Sequence, residues 1–185
     1  MITDILYRCP VCGDFDWLKD SKCASCNAPV EILSRSEISI NSRKNSIAYW
    51  YERVLSHDLP GPDAGIIMKS ARVILSREAT KGDYRGFSGV VATHYTRSAS
   101  DVGTLALTTD GLLFTGSRKP IAIAFETITS VTIESNTIIV ISRDHRVLFF
   151  DFTQESGKMW EDCIRKALAN HRGDKKIIEF YPRLR

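Results

Sequence analysis

Cys9-Pro10-Val11-Cys12-Gly13 and, with ten residues between Cys12 and Cys23, Cys23-Ala24-Ser25-Cys26 decide how this chain of 185 residues is read. Each pair is a short C-x-x-C turn. Four thiolates delivered from two tight turns suit a tetrahedral metal, and zinc takes such Cys₄ sites readily, using them to fold small domains. Cys9, Cys12, Cys23 and Cys26 are therefore the expected ligands of a structural zinc. Iron fits the same ligand set, but an iron-thiolate carrier is more often the whole protein. Here the cysteine pairs occupy a small appendage to a larger module.

Outward from this ribbon the chain changes character twice. Val30, Ile32, Ile38 and Ile40 form short alternating apolar runs, which predict one or two strands finishing a unit over residues 1–40. Ile47, Ala48, Trp50, Tyr51, Val54 and Leu55 then fall at helical spacing, with Ser42 or Asn45 available as N-cap. Pro60-Gly61-Pro62 stops that helix, so residues 41–63 read as a connecting helix and linker. From residue 64 to 173 the period becomes two. Strands are expected over 71–78, 88–97, 103–108, 111–115, 121–125, 127–133, 136–142 and 145–152. Ile121, Ile123 and Phe125 alternate with alanines to give an inward face, and the run 137–141, apolar on both faces, suggests a strand covered on both sides. Trp160, Cys163, Ile164, Ala167 and Leu168 make one helical stripe, and Gly173 is the expected stop. Residues 174–185 form a tail, basic at its ends and apolar between, that suits an added strand or a docking segment.

Charge and composition narrow the function. Residues 1–40 carry four basic against six acidic side chains, a balance of −2, which makes the ribbon a poor reader of nucleic acid. Residues 71–185 carry 17 basic against 13 acidic, a mild and dispersed excess of +4. Met1 to Arg8 shows no secretory signal, and no apolar run approaches the roughly 18 residues that cross a bilayer. Five cysteines, four in metal spacing, favour a reducing compartment. A cytoplasmic location is expected, with peripheral membrane attachment as the alternative.

No nucleophile elbow, phosphate loop or dinucleotide fingerprint occurs, and the four histidines are scattered, so the chain is read as a non-enzyme. Cys163 lies on an apolar stripe, where cysteine packs as a small hydrophobe. Arg118 and Lys119 sit in one expected turn, and Arg143, His145 and Arg146 in another. They either meet an anionic surface or simply keep the turns soluble.

The knuckle Cys9-Pro10-Val11-Cys12-Gly13 resembles those of rubredoxin-type double-knuckle zinc ribbons, with Asn27 where glycine is commoner after the second knuckle. Gly103-Thr-Leu-Ala-Leu-Thr-Thr-Asp-Gly-Leu-Leu-Phe114, Ile121 to Phe125, and Val147-Leu-Phe-Phe-Asp-Phe152 followed by Trp160 resemble a GRAM or bacterial PH-like domain. That resemblance covers roughly residues 66–172. It implies a mainly β fold with α, a bent seven-stranded antiparallel barrel capped by a C-terminal helix and used for protein or lipid binding. The resulting expectation is an adaptor or regulatory protein whose partner is another protein. The alternatives are a peripheral module for anionic lipid and a regulatory partner of a membrane-lipid enzyme.

Overall fold

The computed structural model describes residues 2–85 and 91–173, so the tail and the first residues of the strand expected at 88–97 lie outside the described residues. The chain divides into two compact units, residues 1–59 and 60–185.

The first unit begins with a 3₁₀ turn at Ile2–Asp4. A minimal hairpin follows, β1 (Leu18–Lys19) with β2 (Lys22–Cys23). Then β3 (Val30–Ile32), β4 (Glu37–Ile40) and β5 (Arg43–Ser46) form a three-stranded antiparallel sheet. Two turns are two-residue loops with both residues left-handed: Asp20 and Ser21 at φ 50° and 59°, Asn41 and Ser42 at φ 52° and 63°. That geometry matches the twist of the flanking strands, and Asn and Asp tolerate it best among side-chain-bearing residues. It also removes Ser42 and Asn45 as helix caps. Ser42 is spent on the turn and Asn45 on β5, so α1 (Ile47–Ser56) is capped by Ser46, whose Oγ accepts from Tyr49 N at 3.2 Å. β5 escaped the sequence reading because its residues are all polar and exposed or half-exposed, with no apolar alternation. The core joins sheet and helix. Trp50 and Val54 are buried, and Trp50 Nε1 donates to Ile38 O at 3.2 Å.

The second unit is a curled antiparallel sheet with one helix. Its strands are β6 (Ile66–Lys69), β7 (Val73–Arg85), β8 (Val91–Thr108), β9 (Gly111–Gly116), β10 (Ile121–Ala124), β11 (Ile128–Glu134), β12 (Thr137–Ser142) and β13 (Arg146–Phe152). The order is β10-β9-β8-β7-β13-β12-β11, so the long hairpin β7–β8 lies in the middle and the last strand returns to β7. β6, which the sequence did not suggest, pairs with β8 at Ala106–Thr108, past the end of the β7 pairing at Gly103.

Two expected strands, 88–97 and 103–108, prove to belong to one, β8. Their polar break is a bulge: Leu75 opposes Asp101 and Ser76 opposes Ala99, leaving Ser100 extra, with its Oγ donating to Leu75 O at 3.1 Å. Inward residues Leu75, Leu105, Leu107, Phe114, Ile123, Phe125 and Phe150 are buried, but Ile121 is half-exposed. β12 is not covered on both sides: Ile138 and Val140 are buried, whereas Ile141 on the outer face is 39% exposed.

α2 (Gly157–Arg172) starts on Ser156, whose Oγ accepts from Met159 N, and ends on Gly173 at φ 63°, the expected stop. Its stripe packs on the concave side, with Trp160 stacked on Phe152 at 5.1 Å and Cys163 buried. Arg165 donates to Val131 O at 2.9 Å, and Arg172 donates to Phe125 O and Ile128 O. The helix thereby satisfies carbonyls along the edge strand β11, which an exposed edge would leave open to foreign strands.

Candidate metal centre and surface cations

The two cysteine turns are built alike. In the first, Cys9 N donates to Asp14 O and Gly13 N donates to Cys9 O, both at 2.8 Å. In the second, Cys23 N donates to Ala28 O at 2.9 Å and Asn27 N donates to Cys23 O at 3.0 Å. The residue after the second cysteine is left-handed each time, Gly13 at φ 83° and Asn27 at φ 58°. Asparagine is one of the few side-chain-bearing residues that adopts this conformation cheaply, so the missing glycine does not disturb the turn.

All four Sγ atoms lie within 4.8 Å of one another. Cys9 Sγ is 3.8 Å from Cys26 Sγ, and Cys12 Sγ is 3.7 Å from Cys23 Sγ. A disulfide requires about 2.05 Å, so neither pair is one. A tetrahedron of sulfurs around a zinc at ~2.3 Å has an edge of roughly 3.8 Å, the spacing of these two contacts. The donor set thus fits a four-coordinate metal. Cys9 and Cys23 are buried, Cys12 and Cys26 exposed.

Without metal the thiols are unequal. Loss of hydration at the sulfur pushes Cys9 up and, although the residue as a whole is exposed, Cys12 as well. At Cys23, burial also acts upward, but the N–H groups of Cys26 and Ser25 and the neighbouring thiols outweigh it and bring it down to about 7. Val11 N donates to Cys9 Sγ at 3.4 Å, a contact that favours thiolate.

A second layer, which no spacing in the sequence announces, holds the first turn against the end of α1. Arg8 is buried, lies 4.8 Å over the Phe15 ring, and donates to Gly13 O (2.7 Å) and Asp58 O (3.0 Å). His57 Nε2 donates to Pro10 O at 3.1 Å. Trp17, also buried, donates to Leu6 O at 2.6 Å beneath the hairpin.

The surface cations divide. Arg118 and Lys119, in the β9–β10 turn, line a cleft of about 470 Å³ together with His145 of the β12–β13 turn and Arg77 of β7. Arg143 and Arg146 do not line it. Arg143 donates instead to Glu126 O at 3.1 Å, and Arg146 is an exposed, left-handed residue at φ 59°. Arg77 was missed, although the alternation Val73, Leu75, Arg77 puts a cation at an inward position of β7. Asp101 holds the β9–β10 turn: its carboxylate accepts from Ser117 Oγ (2.7 Å), Ser117 N, Arg118 N and Val102 N. The Ser117 hydroxyl above all, with those three N–H groups, lowers its pKa to about 2.

No protein-family model matches the chain, and no curated protein does. What stands is a four-cysteine cluster able to hold a metal ion, followed by a curled antiparallel sheet with a C-terminal helix. Among the described residues, no helix is long and apolar enough to cross a membrane.

Proposed function

We propose that this chain is a non-catalytic adaptor or regulatory protein, with a structural zinc in an N-terminal ribbon and a PH-like domain for protein binding. The sulfur spacing supports zinc, and four protein ligands leave no open coordination position, which is the arrangement of a structural site. The PH-like reading is supported by the seven-strand order, in which the last strand β13 pairs with β7 of the central hairpin, and by the helix that closes the curl. The observation that carries protein binding is the outer face of that sheet. Register puts Val102 beside Ile74, Phe149 beside Ile139 and Val147 beside Ile141, and Val102 and Ile141 are 44% and 39% exposed. The Arg97–Asp151 ion pair divides these into two apolar patches, with Arg97 lying over the Phe149 ring, and patches rimmed by charge in this way suit a partner surface.

The test compares capture from the source cell by the immobilised full chain and by Val102→Glu and Ile141→Glu variants that keep the wild-type thermal transition. A specific partner lost with both variants supports the reading; capture unchanged by both refutes it. A second reading, attachment to an anionic surface, is favoured by the gathering of Arg118 and Lys119 with Arg77 and His145.

A further inference from the structure

The concave face of β7 is apolar at Val73 and Leu75, which are 0% and 1% exposed, and then carries Arg77 at the next inward position, opposite Leu148. Arg77 is itself exposed, at the rim where the concave face opens to solvent. Arg77 stands instead on one wall of the 470 Å³ cleft, with Arg118 and Lys119 on another and His145 on a third. A cleft of that volume suits a small molecule or headgroup.

The side chains of Arg77, Arg118 and Lys119 have no carboxylate partner among the described residues. The one carboxylate in the cleft, Asp101, is already committed to the turn donors. His145 Nε2 donates to Ala122 O at 3.0 Å, which leaves Nδ1 as its remaining polar atom. Three cations against one carboxylate give the cleft a net +2 before His145 is counted. Pro120 and Ile121 add an apolar patch beside these charges.

We propose that this cleft is a discrete site for a dianionic phosphomonoester, its phosphate held by Arg77, Arg118 and Lys119 and its organic body resting on Pro120 and Ile121. The inference rests on the anionic-surface reading above and sharpens it from diffuse attraction to one site per chain. The charge balance favours a monoester dianion over a singly charged phosphodiester. Arginine suits the role because its planar fork matches phosphate oxygens. A lipid headgroup and a free phosphorylated metabolite share this chemistry.

The experiment uses the full chain. Calorimetry with sn-glycerol 3-phosphate probes the free source. Co-sedimentation with phosphatidylcholine vesicles carrying equal amounts of either phosphatidic acid or phosphatidylglycerol probes the lipid source. The site predicts saturable one-to-one binding of glycerol 3-phosphate, or capture by phosphatidic acid vesicles in preference to phosphatidylglycerol ones. Either signal should weaken at least about tenfold in Arg77→Gln. Arg118→Gln, on an exposed turn, carries the same expectation if Arg77→Gln does not fold. Binding of the soluble probe alone assigns a metabolite, and binding of phosphatidic acid vesicles alone assigns a headgroup. Equal binding to both vesicle types, indifferent to Arg77→Gln and Arg118→Gln, overturns the discrete site but leaves the anionic-surface reading standing. No binding in any arm overturns both.

Discussion

At Gly103 the strands β8 and β9 approach so closely that an added Cβ would lie 2.1 Å from Thr115 O and 2.7 Å from Gly116 Cα. Both are backbone atoms that cannot rotate away. Reaching ordinary contact at 3.4 Å requires an opening of 3.4 − 2.1 = 1.3 Å between paired strands. The neighbouring pair Leu105 and Phe114 belongs to the buried core, so the opening cannot stay local. Overpacking of a core costs about 1–3 kcal/mol, and a clash with rigid backbone belongs at the upper end, ~3 kcal/mol. For a unit of this size each kcal/mol shifts the thermal midpoint by roughly 4 °C, so Gly103→Ala should lower the midpoint of the unit that holds it by about 12 °C. Gly61→Ala is the control, because nothing lies within 4 Å of its added carbon. It should leave stability within about 0.5 kcal/mol of wild type. Scanning calorimetry of both variants decides the matter. A Gly103→Ala midpoint indistinguishable from that of Gly61→Ala would refute the β8–β9 register.

Three further perturbations probe other contacts. Cys163→Ala should cost about 1–2 kcal/mol in urea denaturation from a small buried cavity, while Cys163→Asp should unfold the second unit because a charge at this buried position is cut off from solvent; rapid labelling of Cys163 by a thiol reagent in the folded chain would contradict its burial. Asp101 has a folded pKa lowered to about 2, below its ordinary unfolded value near 4, so its contribution is complete above that unfolded value and is lost as pH falls through the folded one. Urea midpoints of wild type should therefore drop toward those of Asp101→Asn between about pH 4 and 2, and parallel curves there would count against the turn geometry. Arg8→Ala strips donors from Gly13 O and Asp58 O and should destabilise the first unit by about 1–3 kcal/mol, measured on the metal-loaded chain.

Legibility in the sequence followed how local the cause was. The C-x-x-C turns, the α2 stripe and the Gly173 stop could be read because each depends on a few adjacent residues. β5 could not, since an edge strand of Arg43, Lys44, Asn45 and Ser46 takes its conformation from the Asn41-Ser42 turn rather than from apolar alternation. The break at residues 98–102 read as a turn because small polar residues serve both turns and bulges. Only pairing with β7 shows that the chain runs straight on. The exposure of Ile141 was hidden for a related reason: apolar residues on both faces of a strand predict double cover, and the sequence does not say what, if anything, covers the outer one. The cleft draws on β7, the β9–β10 turn and the β12–β13 turn, which meet only through the curl of the sheet. The two turns could be read and do meet at one cleft, but Arg77 could not be placed there, and Arg143 and Arg146 were grouped with the cleft only because they flank His145 in the second turn.

The central claim is a tetrahedral zinc held by Cys9, Cys12, Cys23 and Cys26, and elemental analysis of the purified full chain tests it most directly. Binding of zinc by such sites is worth on the order of 10 kcal/mol in small peptides at neutral pH, so the metal should survive purification. One zinc per chain is expected, with the four ligand thiols unreactive toward a thiol reagent until a chelator is added. Less than half an equivalent of any transition metal, with all five cysteines freely titratable in the folded protein, would contradict it.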